Sequence, residues 1–118
     1  MATDPGFADY VAEQAGDAGD VRVRRMFGEY AVYLDGKVVA LLCDDQAFLK
    51  PTSGGRALLG RVVEAPPYPG AKPYLLLGEE LDDRALLATL LQRTAAELPE
   101  PKPKKPRTKR ATPPRSSR

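Results

Sequence analysis

Three arginines stand within four residues, Arg22, Arg24 and Arg25, with Tyr30, Tyr33 and Lys50 following them in the chain. Guanidinium groups beside aromatic rings can take an anion, an acidic protein surface or a nucleic acid through forked hydrogen bonds and stacking. The same residues equally suit an exposed sheet face that charge keeps soluble, its arginine stems lying on tyrosine rings. A second basic group closes the chain: Lys102, Lys104, Lys105, Arg107, Lys109 and Arg110 are spaced by prolines. Such an arm is held open by proline and self-repulsion, and attracts phosphate backbones without regard to sequence. A plain solubilising extension has the same composition.

Other chemistry is poorly supplied. The chain has no histidine and a single cysteine, Cys43. Ser-His and Cys-His nucleophile pairs are therefore impossible within one chain, and the usual zinc ligand sets are missing. Ser53-Gly54-Gly55-Arg56 has loop glycines but lacks the Gly-Lys-Ser/Thr of a phosphate-binding loop. The acidic pairs Asp44-Asp45, Glu79-Glu80 and Asp82-Asp83 read as a hairpin turn, a pre-helix loop and a helix start. Adjacent strand residues point to opposite faces, so none of these pairs is set to share a proton or a metal. Cys43, at the end of an apolar run, reads as a small buried hydrophobe. The expectation is a non-enzyme with no catalytic residue, cofactor or metal.

The elements that must position these groups follow from spacing. Asp4-Pro5 starts a helix, with Phe7, Tyr10 and Val11 as its apolar stripe and Gly16 and Gly19 at its end. Val21, Val23 and Phe27 alternate with Arg22, Arg24 and Met26, giving a half-exposed strand with one charged face. After Gly28, Tyr30, Val32 and Leu34 continue the alternation, and Asp35-Gly36 is a two-residue hairpin signal. Residues 37–43 are apolar on both faces, as a central strand requires, and 46–50 form a short strand around Phe48. A short helix is expected from about Ser53, an irregular edge at Pro66, Pro67 and Pro69, and another strand at 73–77. Asp82 is the expected cap of a closing helix carrying Leu86, Leu87, Leu90, Leu91 and Leu98. The order predicts an α+β domain of two layers, an antiparallel meander covered by helices on one face.

Charge divides the 118 residues into two parts. Residues 1–98 hold ten Lys/Arg against fifteen Asp/Glu, a net −5; residues 99–118 hold eight against one, a net +7. Half of the twelve prolines also lie after residue 98, where no apolar residue exceeds alanine in size. The expectation is one domain, 1–98, followed by a disordered Pro/Lys/Arg-rich tail, 99–118. With one cysteine, no leader-like start and no apolar run long enough for a membrane, the expected location is the cytoplasm.

The run Arg24-Arg25-Met26-Phe27-Gly28-Glu29-Tyr30-Ala31-Val32-Tyr33-Leu34-Asp35-Gly36, with Phe48-Leu49-Lys50 and Tyr68-Pro69 beyond it, resembles the N-terminal domain of the TfoX/Sxy competence regulators. Coverage is about residues 5–98. The resemblance implies a bacterial protein with a secretion-chaperone-like α+β fold and a link to transcriptional regulation, with no catalytic residues. Glu29 and Ala31 stand where the family often has glycine, and the basic tail stands where longer members carry a second domain. Two function classes follow. One is a regulatory or interaction module with an unknown protein partner, whose tail binds DNA or RNA non-specifically. The other is a protein-binding adaptor or chaperone-like homodimer for which the tail is incidental.

Overall fold

The computed structural model describes residues 3–26 and 28–99 of the chain. Its helices are α1 (Pro5–Gln14), α2 (Ser53–Leu59) and α3 (Arg84–Glu97). Six strands, β1 (Val21–Met26), β2 (Glu29–Leu34), β3 (Lys37–Cys43), β4 (Gln46–Leu49), β5 (Glu64–Ala65) and β6 (Tyr74–Leu77), form one antiparallel sheet in the order β1-β2-β3-β4-β6-β5. The expected α+β meander is therefore present, extended by a hairpin that inserts β6 beside β4 and leaves β5 as the far edge. The place expected for Phe27 at the end of β1 lies outside the described residues, as does the tail beyond Pro99.

The turns behave as their residues dictate. Asp35 and Gly36 have φ of 51° and 88°, and Asp44 and Asp45 have 52° and 58°. Two consecutive left-handed residues match the right-handed twist of a hairpin, and aspartate is among the few side chains that tolerate them. The N-terminus straps the second of these turns. The Asp44 and Asp45 amides donate to Glu29 Oε1 and Thr3 Oγ1, and the Asp4 amide donates to Asp45 Oδ1. Asp4 does not cap α1 with its own carboxylate, although Pro5 takes the first helical position.

The core lies on one side of the sheet. Val32, Leu34, Val39, Ala40, Leu42, Leu49, Leu75 and Leu77 meet Leu87, Leu90 and Leu91 of α3 and Ala8 and Val11 of α1. Val39 and Ala40 both reach this side because the β2–β3 register slips between Val32 and Tyr33, a bulge that places two residues opposite one. α3 lies across β2 and β3, with α2 beside it and α1 towards β1. Burying each leucine contributes ~1.5–3 kcal/mol, so α3 dominates the stability of the layer.

Two details depart from the sequence expectation. Tyr10 is 40% exposed and donates its hydroxyl to Asp82, while Ala8 and Val11 face the core. Small residues let α1 approach closely, so the bulky ring is turned outward. The cap of α3 is Asp83, whose Oδ1 accepts from the Leu86 amide at 3.1 Å, because Asp82 is used up in a preceding 3-10 turn, Glu79–Asp82.

At the other end of α3, Lys37 Nζ donates to the carbonyls of Ala95 and Leu98 at 2.8 and 3.2 Å. A cation at a helix C-terminus satisfies carbonyls that have no partner within the helix. One polar atom in the core has no partner among the described residues: Thr94 Oγ1, in a residue that is fully buried. Thr94→Val should therefore raise stability by about 1 kcal/mol, whereas Leu90→Ala should lower it by ~2–5 kcal/mol. Urea denaturation midpoints check both; an unchanged midpoint for Leu90→Ala would overturn the placement of α3.

Candidate functional site

Alternation along the strands assigns every side chain to the helix-covered side or to the opposite one. Val32, Leu42, Leu49 and Leu75 point under the helices. Their neighbours in the register therefore form the opposite face. One row runs across the sheet as Arg24, Ala31, Leu41, Phe48 and Leu76. Val63 extends it, since its carbonyl accepts from the Leu76 amide at 2.8 Å. A second row begins Arg22, Tyr33, Val38, and a third Met26, Glu29. No described helix covers this face. Three of the large apolar side chains left exposed, Met26, Val63 and Tyr68, lie on it or at its margin.

The six residues expected to form an interaction surface divide between the two sides. Arg22, Arg24 and Tyr33 share the uncovered face, and the Arg24 guanidinium sits 5.9 Å from the centre of the Tyr33 ring. Arg22 also pairs with Asp20 at 3.3 Å across exposed surface. Lys50 follows β4 with its amide bonded to the Val39 carbonyl, and continuing the alternation puts its half-buried side chain on the uncovered face. Arg25 and Tyr30 are cross-strand neighbours on the helix side, where Tyr30 packs against the core. The tail cations Lys102, Lys104, Lys105, Arg107, Lys109 and Arg110 lie outside the described residues.

Residues not singled out from the sequence complete the surface. The proline loop brings Tyr68 over the sheet, where it, Met26, Glu29, Leu41 and Cys43 line an open depression of about 500 Å³ that Tyr30 also borders from its place against the core. Pro66, Pro67 and Pro69 border the neighbouring surface over Phe48. The signal for Leu41 was its place in a strand apolar on both faces; Tyr68 was marked only through the Tyr68-Pro69 pair of the family resemblance, with no site role attached. Burial, and then the proximity of Tyr68 and Cys43, pushes the Tyr74 phenol up from its ordinary value. Cys43 is buried, and its thiol is pushed up first by that burial, then by the Glu29 carboxylate. Its thiolate is thus scarce at neutral pH, which opposes nucleophilic chemistry. Alkylation of Cys43 at pH 8 should be many-fold slower in the native chain than in the urea-unfolded chain; equal rates would refute the burial.

Ser53, Gly54 and Gly55, expected as loop residues, form the first turn of α2, and the anion position there has an internal occupant. Ser53 and Gly54 donate their amides to the two oxygens of Glu97, at 3.0 and 2.5 Å, and Thr52 Oγ1 accepts from Gly55 at 3.0 Å. The carboxylate from α3 fills the position an external anion would need. A Cβ on Gly54 would stand inside contact distance of Glu97 Oε2, so glycine is what admits the carboxylate. Glu97→Ala should cost ~0.5–1.5 kcal/mol, as should Gly54→Ala, and the double variant should cost clearly less than their sum. A double-mutant cycle by chemical denaturation measures this; strict additivity would refute the coupling.

No group of three or more acidic or cysteine side chains among the described residues is arranged to hold a metal ion. No helix among them is long and apolar enough to cross a membrane. A protein of Spirochaeta aurantia, described as an uncharacterized 12.7 kDa protein in the trpE 5′ region, is 49% identical over 109 residues, covering 92% of this chain and 95% of that protein. That share exceeds what residues 1–98 alone would provide, so the similarity continues into the basic segment. The family profile described as TfoX N-terminal domain matches residues 13–98, starting eight residues later than the resemblance read from the sequence. That span takes in the whole meander with its Arg24–Gly36 run, and the chain belongs to the TfoX N-terminal domain family.

Proposed function

We propose that this chain is a non-enzymatic interaction module linked to transcriptional regulation, docking a protein partner on the uncovered sheet face while its basic tail holds nucleic acid without sequence preference. The observation that carries the reading is the sheet face without a helix layer, where Met26, Val63 and Tyr68 stay exposed around the half-buried Leu41 and Leu76, with Arg22 and Arg24 at one end. Apolar surface left without a covering layer, rimmed by charge, is the ordinary anatomy of a protein-binding patch. The tail supports the second half of the reading through its net charge of +7. The domain carries a net −5 and would itself repel a phosphate backbone, so the two parts divide the work. The cytoplasm is the compartment that suits both partners.

Gel shift of a duplex oligonucleotide across a salt series tests the tail. Log affinity should fall with log salt at a slope of roughly −5 if Lys102, Lys104, Lys105, Arg107, Lys109 and Arg110 each engage a phosphate, and deletion of 99–118 should abolish the shift. Retained affinity after deletion would sink that half. Capture of partners from nuclease-treated extract tests the face: bands held by the native chain should be lost in Tyr33→Ala/Leu41→Lys and kept in the tail deletion. If sedimentation instead shows a dimer that this double variant dissociates, the homodimer reading replaces the adaptor.

A further inference from the structure

The two edges of the sheet are built differently. β5, at one edge, is two residues long and runs directly into Pro66 and Pro67, which have no amide to offer a further strand. β1, at the other, spans six residues without proline, and its side chains are the most exposed of any strand longer than two residues. Met26, Arg24 and Arg22 bond inward to β2, and the Asp35 amide continues that phase by donating to the Asp20 carbonyl at 2.9 Å. In an antiparallel ladder the alternate residues, Val21, Val23 and Arg25, therefore turn their amides and carbonyls outward. No described residue takes those groups.

The charges on β1 decide what can occupy this edge. Only outward-facing residues can bond across it, so a second copy must pair odd-numbered positions with odd-numbered ones. Each antiparallel register that pairs three or more β1 residues then sets arginine directly opposite arginine: Arg22 on Arg22, Arg22 on Arg24, Arg24 on Arg24, or Arg25 on Arg25. Like charges directly opposite are destabilising, so self-pairing is disfavoured. An extended segment with acidic side chains at alternate positions meets the reverse situation. Its acids fall opposite Arg22 and Arg24 on the uncovered side, and Arg25, which has no ion-pair partner among the described residues, is left for the other side.

We propose that the β1 edge, Val21–Met26, is a docking site for an extended acidic segment of a partner protein, which adds to the sheet as a seventh strand. Main-chain bonds at Val21, Val23 and Arg25 supply affinity, and the arginines supply selection for acid. This site is separate from the uncovered face proposed above: it uses backbone groups on the rim, so either can fail without the other.

The test uses the full-length chain and a fluorescent eight-residue peptide of alternating glutamate and valine, followed by anisotropy at low salt. Because the tail also attracts acid, the decisive comparison is with the same peptide carrying N-methyl groups on its central four amides, which has identical charge but cannot pair. The native chain should bind the unmethylated peptide at least about tenfold more tightly. Val23→Pro, which removes an outward amide while leaving the β1–β2 ladder intact, should erase that difference. Arg24→Glu/Arg25→Glu should reject the glutamate peptide and accept a lysine-valine one. Leu41→Lys, in the middle of the face, should leave the difference unchanged. Equal binding of the two glutamate peptides by the native chain would overturn the proposal, since it means capture by the tail or the face. So would sedimentation showing a native dimer that Val23→Pro dissociates, since the edge would then belong to a second copy. If Val23→Pro proves unfolded by circular dichroism, the methylated-peptide comparison on the native chain still decides.

Discussion

An antiparallel sheet of six strands has two faces and two edges, and among the described residues the helices cover only one of those faces. That asymmetry is the constraint on which the rest of the molecule depends. α3 brings Leu87, Leu90 and Leu91 to one side of β2, β3 and β4, and the bulge at Val39–Ala40 turns two residues towards it instead of one. The opposite side is left to a proline loop and its own side chains. Ala31 is small enough to disappear into the sheet, Phe48 is almost wholly buried beside the Pro66–Pro69 loop, and the arginines of β1 keep the far side in water. Burial is concentrated where the helices are, and chemistry that could meet a partner is concentrated where they are not.

The layers are registered to one another by side chains that satisfy backbone groups. Lys37 on β3 takes the last carbonyls of α3, Glu97 on α3 takes the first amides of α2, and Gln92 on α3 donates to the Ala18 carbonyl at 2.9 Å. Gln14 of α1 does the same to Leu81 at 3.0 Å. Each bond meets a group that helix or strand geometry leaves unsatisfied, so each fixes the position of an element more than it adds to total stability. These contacts also account for features that resemble binding sites. The Ser53 and Gly54 amides at the start of α2 are already bonded to a carboxylate of the same chain, and the Asp44-Asp45 pair is a turn whose own amides are held by Thr3 and Glu29. What remains unassigned after that subtraction is the open face, the β1 edge and the basic tail.

Much of the fold was legible because its signals are local. The two-residue turn at Asp35-Gly36 follows from which residues tolerate a left-handed backbone, and the limits of β1 to β4 follow from alternation between such turns. The same reading placed Tyr10 in the core and the α3 cap at Asp82. Both assignments turn on contacts between distant segments: Tyr10 and Asp82 bond to each other across 72 residues of chain, and Asp82 belongs to a turn that precedes the helix. The candidate surface was legible only as composition. Arg22, Arg24, Arg25, Tyr30, Tyr33 and Lys50 are near one another in the chain, but strand alternation turns Arg25 and Tyr30 to the helix side of the sheet, Arg25 still exposed and Tyr30 half-buried.

By itself the sequence determined that this is an α+β fold with a meander, that its charge is split between an acidic body and a basic tail, and that the residues of a Ser-His or Cys-His pair and of the usual zinc ligand sets are missing. Those properties depend on residue type and near-neighbour spacing, which a linear chain states in full. Tertiary structure alone decided which face of the sheet the leucines of α3 would cover, and so that Arg22 and Arg24 share the other face. It also decided that Tyr68 would come to lie over Leu41, that Glu97 would occupy the start of α2, and that the long edge strand would be β1 and not β5. The reason is that a face, an edge and a pocket are relations between segments far apart in the chain, set by pairing and packing across the whole sheet.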